Sequence, residues 1–243
     1  MKMSKIYCLG SGSKGNSYAI DDGHSVLLLE AGLPASRILS GYRELLPRVA
    51  GCLITHEHSD HAKGAAELAR RGIDLYLSQG TKEGLSGVRN PFALHTVRAY
   101  DSFRLYEHGN PLWTILPWEA QHDAAEPLGF LIQSCTTGEK ILFATDTCYI
   151  PNTFRGLHII MVECNYSREH MQRAIEQGYT DPRLLQRLEA SHFGLHNVKA
   201  MLAANDLSQV SHIYLLHVSY NNGDKRGFET TIRAMTGIPV TAF

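Results

Sequence analysis

Short apolar runs bounded by turn residues recur along this chain, and between them lie segments whose apolar residues follow a helical period. Runs of the first kind are typical of strands, and segments of the second kind are typical of amphipathic helices. The runs predict strands over residues 5–9, 17–20, 25–29, 51–55, 74–77, 102–106, 113–117, 129–134, 140–144, 158–163, 211–217 and 240–243. The helical segments are residues 34–46, 62–71, 168–176, 182–189, 197–205 and 228–235. Because strands and helices interleave without a linker, we expect one layered α/β domain over residues 1–243.

The composition argues against several classes of protein. The formal net charge is −1, so the chain lacks the strong overall field that draws basic proteins to nucleic acid or to membrane surfaces. No apolar run reaches the roughly 18 residues of a membrane-spanning helix, and glycines and serines interrupt the opening run MKMSKIYCLGSGSKGNSY, unlike a signal peptide. The five cysteines form no CxxC pair and are expected to be reduced thiols. We therefore expect a cytoplasmic protein with no membrane partner.

The densest group of reactive side chains is the segment THEHSDH, which begins at Thr55, the last residue of the predicted strand 51–55. Alternate residues of an extended segment point the same way, so we expect His56 and His58 to face one metal ion. The turn into the next helix redirects Asp60 and His61 toward a second ion. Imidazole and carboxylate ligands without thiolate suit zinc first, with manganese or iron as alternatives. A polar loop that is merely rich in histidine fits this spacing and the strand-to-helix context poorly.

This HxHxDH pattern resembles that of the metallo-β-lactamase fold superfamily. The resemblance implies a four-layer αβ/βα sandwich. It also implies three further ligands in a set order, namely a histidine, an aspartate and a second histidine, each at the end of a strand. The chain supplies all three in that order, each after or at the end of a predicted strand: His122, Asp146 and His217.

By this resemblance the chain holds two divalent metal ions, and a hydroxide that bridges them is the nucleophile. Asp146 would lie between the ions. Asp60 would have a second, catalytic duty, because a carboxylate beside the attacking water can orient it or accept its proton. The implied ligands are His56, His58 and His122 for one ion, and Asp60, His61 and His217 for the other.

Further segments resemble one branch of the superfamily, the YycJ/WalJ-like hydrolases. These segments are the Gly/Ser/Asn loop 10–17, residues 122–130, residues 163–166 and the ending 217–222. The backbone N–H groups of such a loop can contact an anion. The branch also implies a catalytic role for His192, although the chain has Gly194 where the branch has serine. Glu30 occupies a supporting position in which the superfamily usually has aspartate.

The branch implies a phosphodiesterase, with DNA or RNA as the phosphodiester substrate. The same nucleophile would also serve a small ester, thioester or lactone, and the metal ligands do not discriminate between these reactions. An open groove with Lys14 and Lys225 at its edge would favour a polynucleotide, whereas a deep apolar cleft would favour a small ester. A third possibility, a relic of the fold that only binds, is disfavoured because all seven metal ligands are present.

Overall fold

The computed structural model describes residues 3–243, which form two compact units. The first unit comprises the described residues up to Glu119 together with Ala124–Glu139, and the second comprises Ala120–Asp123 and Lys140–Phe243. Met1 and Lys2 begin the opening run that lacks a signal-peptide pattern, and they lie outside the described residues. The expectation of a single domain over residues 1–243 stays a prediction.

The first unit is built on a six-stranded sheet whose strands lie side by side in sequence order. They are β1 (Lys5–Gly10), β2 (Ser17–Asp21), β3 (Val26–Leu29), β4 (Val49–Leu53), β5 (Leu75–Leu77) and β6 (Leu94–Thr96). The helices are α1 (Ala35–Gly41), α2 (Ser59–Ala62), α3 (Ala65–Arg70) and α4 (Gln79–Gly84), with 3-10 turns at Leu46–Arg48 and Pro91–Ala93. β1 to β3 pair antiparallel, and β3 to β6 pair parallel. Parallel neighbours need crossover connections, and these four helices lie in them.

Apolar burial holds this sheet and its helices together. Every residue of β2 and β3 is buried, which is typical of strands that are covered on both faces. One core cluster packs the helices on the sheet, and its members Leu28, Ile38, Leu68 and Leu75 are fully excluded from solvent. Burial of one such side chain contributes about 1.5–3 kcal/mol. The ends of the strands are therefore firmly positioned.

The remaining strands of the first unit form an antiparallel meander. They are β7 (Phe103–Glu107), β8 (Asn110–Glu119) and β9 (Leu128–Ser134). Trp118 pairs with Gly129 across β8 and β9, and a Cβ on that glycine would lie 2.1 Å from the indole ring. The buried indole therefore requires glycine at this position.

The second unit is a four-stranded parallel sheet with helices in its connections. The strands are β10 (Lys140–Ala144), β11 (Ile159–Glu163), β12 (His212–Leu216) and β13 (Val240–Ala242). The helices are α5 (Arg168–Glu176), α6 (Pro182–Ser191), α7 (Leu195–Ala204) and α8 (Lys225–Thr236). Because the strands are parallel, their carboxyl ends lie at one edge, where ligand sites of α/β sheets usually occur.

Two helix predictions in the first unit are wrong in detail. The helix expected over 34–46 ends at Gly41, because the chain then turns toward the 3-10 segment that contains Pro47. The helix expected over 62–71 is divided into α2 and α3 at Gly64. The Gly64 N–H donates to the Ala31 carbonyl at 2.7 Å, and a Cβ at Gly64 would lie 2.5 Å from a neighbouring carbonyl oxygen. The contact of Gly64 with the loop between β3 and α1 therefore interrupts the helix that the apolar period predicts.

Two elements had no counterpart in the sequence prediction. The six residues of α4 have no apolar period, and the helix begins where the Ser78 hydroxyl accepts a hydrogen bond from the Thr81 N–H. β6 is three residues long and is set by its parallel pairing with β5.

No helix within residues 3–243 is long and apolar enough to span a membrane.

The five cysteines are free thiols with very different environments. Cys52 and Cys164 are fully buried, and burial raises the pKa of each thiol well above its ordinary value. Cys135 is exposed. Because the thiolate is the reactive form, we expect Cys135 to be modified first by Ellman's reagent in the native protein, and Cys52 and Cys164 only after unfolding.

Peptide mapping of the labelled chain checks this order, and Cys135→Ser provides the control. Rapid native labelling of Cys52 or Cys164 would contradict the burial on which the fold description depends.

Candidate metal-ligand clusters

In the first unit, the segment between β4 and α2 brings four predicted ligands together. His58 precedes α2 in extended backbone, and Asp60 and His61 lie within that single turn of helix. The ring centroids of His56 and His58 are 4.6 Å apart, and those of His56 and His61 are 4.2 Å apart. Asp60 Oδ2 lies 3.6 Å from His61 Nε2. The strand-to-helix turn therefore makes these side chains converge.

Two neighbouring residues orient the histidines. The Thr55 hydroxyl lies 2.9 Å from His56 Nδ1 and so restrains the orientation of that ring. Glu30 is fully buried, and its Oε2 accepts a hydrogen bond of 3.4 Å from the Thr55 N–H. Its Oε1 lies 3.5 Å from His61 Nδ1. A carboxylate at the second ring nitrogen is a common partner of metal-binding histidines, so Glu30 has the contacts that a supporting carboxylate needs.

The buried side chain of Asn16 contacts the same histidine from the other side. Its Oδ1 accepts hydrogen bonds from the Gly12 N–H at 2.7 Å and the Tyr18 hydroxyl at 3.1 Å. Its Nδ2 donates to the Asp60 carbonyl at 3.1 Å and lies 3.0 Å from His61 Nε2. Because two donors occupy the amide oxygen, the amide orientation is determined, and Nδ2 faces the imidazole as a donor.

These contacts select one tautomer of His61. The Asn16 donor at Nε2 and the Glu30 carboxylate near Nδ1 together favour the ring proton on Nδ1. Nε2 then carries the lone pair, which is the form that binds a metal ion. In this structure the Nε2 lone pair accepts from Asn16, so Asn16 fixes the orientation and the tautomer of the His61 ring.

Three backbone donors of the loop that ends in Asn16 already have acceptors within the first unit. The Gly12 N–H donates to the Asn16 side chain, the Gly15 N–H to the Gly12 carbonyl, and the Asn16 N–H to the Asp60 carbonyl. These three N–H groups are therefore not available to an anion, contrary to one interpretation of the loop. The loop instead packs against the ligand segment.

Gly32 permits this close packing. Its N–H donates to the Asn16 carbonyl at 2.9 Å, and a Cβ there would lie 1.6 Å from the Asp60 carbonyl oxygen. Any side chain at this position would therefore push α2 away from the loop and displace Asp60.

In the second unit, three predicted ligands lie at the carboxyl edge of the parallel sheet. Asp146 follows β10 and His217 follows β12. Asp146 Oδ2 lies 3.7 Å from His122 Nε2, and Asp146 Oδ1 lies 3.8 Å from His217 Nε2. His122 Nδ1 lies 2.8 Å from the Ser191 carbonyl oxygen, which places the ring proton on Nδ1 and the lone pair on Nε2. One carboxylate thus presents an oxygen to each of two imidazoles.

Three of these site residues have strained backbones. Glu30, Asp146 and His217 have φ values of 64°, 45° and 50°, in the left-handed region that side chains other than glycine rarely adopt. Such strain costs on the order of 1–3 kcal/mol at each residue and persists where the surrounding structure imposes it, often at functional sites. Glu30 and His217 lie directly after a strand and Asp146 lies two residues after one, so the turn out of the sheet sets the direction of each side chain.

Glu163, at the end of β11, lies at the centre of a second group of contacts. Its Oε1 is 2.7 Å from His192 Nδ1 and 3.4 Å from His217 Nδ1, and its Oε2 accepts from the Phe193 N–H at 3.1 Å. The Asn165 amide donates to Glu163 and to the His217 carbonyl. The ligand atoms of Asp146, Glu163, His192 and His217 all lie within 4.8 Å of one another.

The contact between Glu163 and His192 shifts the pKa of both side chains. Burial disfavours the charge on each, but their mutual attraction and hydrogen bond outweigh it. The pKa of Glu163 is therefore lowered, and the pKa of His192 is raised, relative to their ordinary values.

The structure brings Asp146, His192 and His217 together in the second unit, and it shows two residues to which the sequence alone assigned no contact. Glu163 carries a signal, since it is a carboxylate that ends an otherwise apolar strand. The sequence gives no signal for the role of Asn16 beyond its place in a polar loop, because its contact with His61 spans 45 positions.

In each unit the donors are imidazole nitrogen and carboxylate oxygen, a set that fits a divalent ion of the zinc, manganese or iron type.

The Asn16 contacts can be tested without metal. We expect Asn16→Ala to lower the free energy of unfolding by about 2–3 kcal/mol, because it leaves buried donors without partners. The exposed Asn110 provides a matched control, and Asn110→Ala should have little effect. Urea denaturation measures the difference, and nitrogen chemical shifts of the His61 ring report its tautomer. An unchanged tautomer and unchanged stability would show that Asn16 does not position this ring.

Comparison with known proteins places these observations in a family. The family model of the beta-lactamase superfamily domain matches residues 23–218. Exodeoxyribonuclease YycJ of Bacillus anthracis is 28% identical over 235 residues, which cover 89% of this chain and 83% of that protein. Exodeoxyribonuclease WalJ of Streptococcus pneumoniae is 27% identical over 242 residues, which cover 91% of this chain and 84% of that protein. The resemblance to the YycJ/WalJ-like branch is therefore confirmed.

The fold is also similar to solved structures. The metallo-β-lactamase fold protein YhfI of Bacillus subtilis superposes with a TM-score of 0.71 at 13% identity, over 99% of this chain and 95% of that one. At this identity the likeness concerns the fold alone. The expected α/β class of the metallo-β-lactamase type is confirmed.

Proposed function

This chain belongs to the beta-lactamase superfamily, a class of metal-dependent hydrolases, and we propose that it is a phosphodiesterase that cleaves nucleic acid, with DNA as the first substrate to test. The observation that carries the proposal is Asp146, a carboxylate held in strained backbone with one oxygen toward each of two histidines. Two relatives that align along most of their length are named exodeoxyribonucleases, which supports DNA over other phosphodiesters.

The proposed ligands follow the order of the sequence motif and the superfamily resemblance. Asp146 would be shared between two divalent ions, with zinc the first choice and manganese or iron the alternatives. When bound, the ions would supply a shared hydroxide near neutral pH and neutralise charge on the phosphoryl oxygens. One set of ligands is His56, His58 and His122, and the other is Asp60, His61 and His217.

Two further residues have proposed roles in proton transfer. Asp60 is partly exposed, and its carboxylate would orient the attacking water or accept its proton. His192 would donate a proton from Nε2 to the leaving oxygen, because Glu163 holds the Nδ1 side of the ring at 2.7 Å. Glu163 is a positioning residue in this scheme, since it acts through the imidazole.

The first test combines metal analysis with a small diester. We expect the purified protein to bind two divalent ions per chain and to hydrolyse bis(p-nitrophenyl) phosphate with added zinc or manganese. Asp146→Ala should abolish this activity, because the shared carboxylate is lost. Asp101→Ala removes an exposed carboxylate elsewhere and should leave the activity intact.

The outcomes of this test separate the alternatives. Two bound ions without diesterase activity would move the assignment to a small ester, thioester or lactone, which the same nucleophile would cleave. A protein that binds no metal and has no activity would overturn the ligand assignment itself.

A second test examines His192 through the leaving group. p-Nitrophenolate leaves without protonation, whereas the sugar oxygen of DNA needs a proton. We therefore expect His192→Ala to reduce cleavage of DNA about 100-fold or more, and to reduce hydrolysis of bis(p-nitrophenyl) phosphate much less. Glu163→Gln should have the same selectivity with a smaller loss. Equal losses on both substrates would show that His192 is not the proton donor.

A further inference from the structure

The second unit has an open groove that the proposed chemistry does not use. It is bordered by α5, by the turn after that helix and by Asn221, and its volume is about 460 Å³. His170 and Arg173 of α5 line it together with Tyr179. The groove therefore combines basic, aromatic and amide side chains in one concave surface.

The lining of this groove contains no carboxylate. Two other grooves on the described chain differ, since Glu44 lines one and Glu67 lines the other. The contrast is informative because acidic residues slightly outnumber basic ones in the whole sequence, 24 to 23. An acid-free groove with a guanidinium group suits an anionic ligand.

Arg173 is the cation of this groove, and its charge is not neutralised. Its Nε donates to the Glu169 carbonyl at 3.3 Å, and no carboxylate among residues 3–243 forms an ion pair with it. The neighbouring arginines differ, because Arg168 pairs with Glu189 and Arg183 pairs with Asp181. An unpaired guanidinium in a concave site is well suited to a phosphate group.

Two exposed tyrosines accompany this charge. The Tyr179 side chain lines the groove and is 82% exposed, and Tyr220, next to Asn221, is 99% exposed. Aromatic faces beside a basic groove are the arrangement with which proteins bind single-stranded nucleic acid, because each base can stack on a ring.

Hydrogen bonds connect the groove to a predicted metal ligand of the same unit. The Ser167 N–H, at the start of α5, donates to the Asn222 carbonyl at 3.2 Å. The Ser219 N–H donates to the Asn165 carbonyl at 2.9 Å, and the Asn165 amide donates to the His217 carbonyl at 3.1 Å. The loop that borders the groove is thus continuous with the strand end that bears His217.

We propose that this groove binds single-stranded DNA, with a phosphate on Arg173 and His170 and a base stacked on Tyr179. The inference rests on the proposed function, because the bound strand would be the substrate whose phosphodiester is cleaved. It adds a substrate-binding surface outside the metal ligands.

The test measures binding separately from cleavage. Full-length protein carrying Asp146→Ala is titrated into a fluorescein-labelled oligothymidylate of about ten nucleotides, a length within the range of single-strand binding sites. Fluorescence anisotropy gives the dissociation constant at several salt concentrations. Arg173→Ala and Tyr179→Ala are compared with two controls, Arg183→Ala and Tyr106→Ala, which remove an ion-paired arginine and an exposed tyrosine outside the groove. Thermal melting verifies that each variant is folded.

We expect Tyr179→Ala to weaken binding about tenfold, as the loss of one stacked base does. Arg173→Ala should weaken binding and make the slope of log affinity against log salt shallower by about 0.7, the value for one phosphate contact on a single strand. The controls should bind as the parent does.

Other results would overturn the proposal. Unchanged binding by both groove variants, or a parent that does not bind the oligonucleotide, would exclude the groove as a DNA site. Weakening by Arg173→Ala alone would mean that the groove holds a phosphate but no base, and would also reject it. Hydrolysis of bis(p-nitrophenyl) phosphate by the wild-type protein is measured in parallel, so failure of the groove is distinguished from failure of the proposed activity.

Discussion

A parallel sheet delivers the carboxyl ends of its strands to one edge, and this constraint decides where the polar chemistry of each unit lies. In the first unit Glu30 follows β3 and His56 comes after β4. In the second unit Asp146 follows β10, Glu163 ends β11 and His217 follows β12. Apart from Glu163, the residues of β3, β10 and β11 that lead to these positions are mostly buried and apolar, so packing fixes where the polar groups lie. Left-handed backbone at three of the five residues is tolerated because the packed strands impose it.

The two buried carboxylates beside the histidines must be compensated for the loss of hydration. Glu30 and Glu163 are fully excluded from water, where an unpaired charge would be strongly destabilising. Each instead contacts an imidazole and at least one backbone N–H. A buried charged cluster does not by itself imply a more stable fold, because well-packed apolar residues in its place often give the same or a higher free energy of unfolding. Its value is geometric, because it orients rings that would otherwise rotate.

Fold membership alone does not decide the reaction, because one fold supports many chemistries. The superfamily resemblance narrows the reaction to hydrolysis, and the order of the ligands is common to esterases and nucleases alike. The substrate must therefore be read from surfaces beyond the ligands. In the second unit the acid-free groove beside α5 is such a surface, and its mixture of guanidinium, imidazole and phenol suits a nucleotide chain better than a small apolar ester.

The sequence by itself determined most strands and the helices of the second unit, because these depend on local apolar periodicity. The seven proposed ligands came from the HxHxDH motif and from what the superfamily resemblance implies, and they stay a prediction. The sequence did not predict the end of α1 at Gly41, where the chain turns toward the segment that contains Pro47. It also could not predict the break between α2 and α3 at Gly64, because a contact with distant backbone causes that break. Only the tertiary structure revealed that Asn16 contacts His61 and that Glu163 supports His192. Those contacts join residues far apart in the chain, and no local pattern encodes which strand ends will meet.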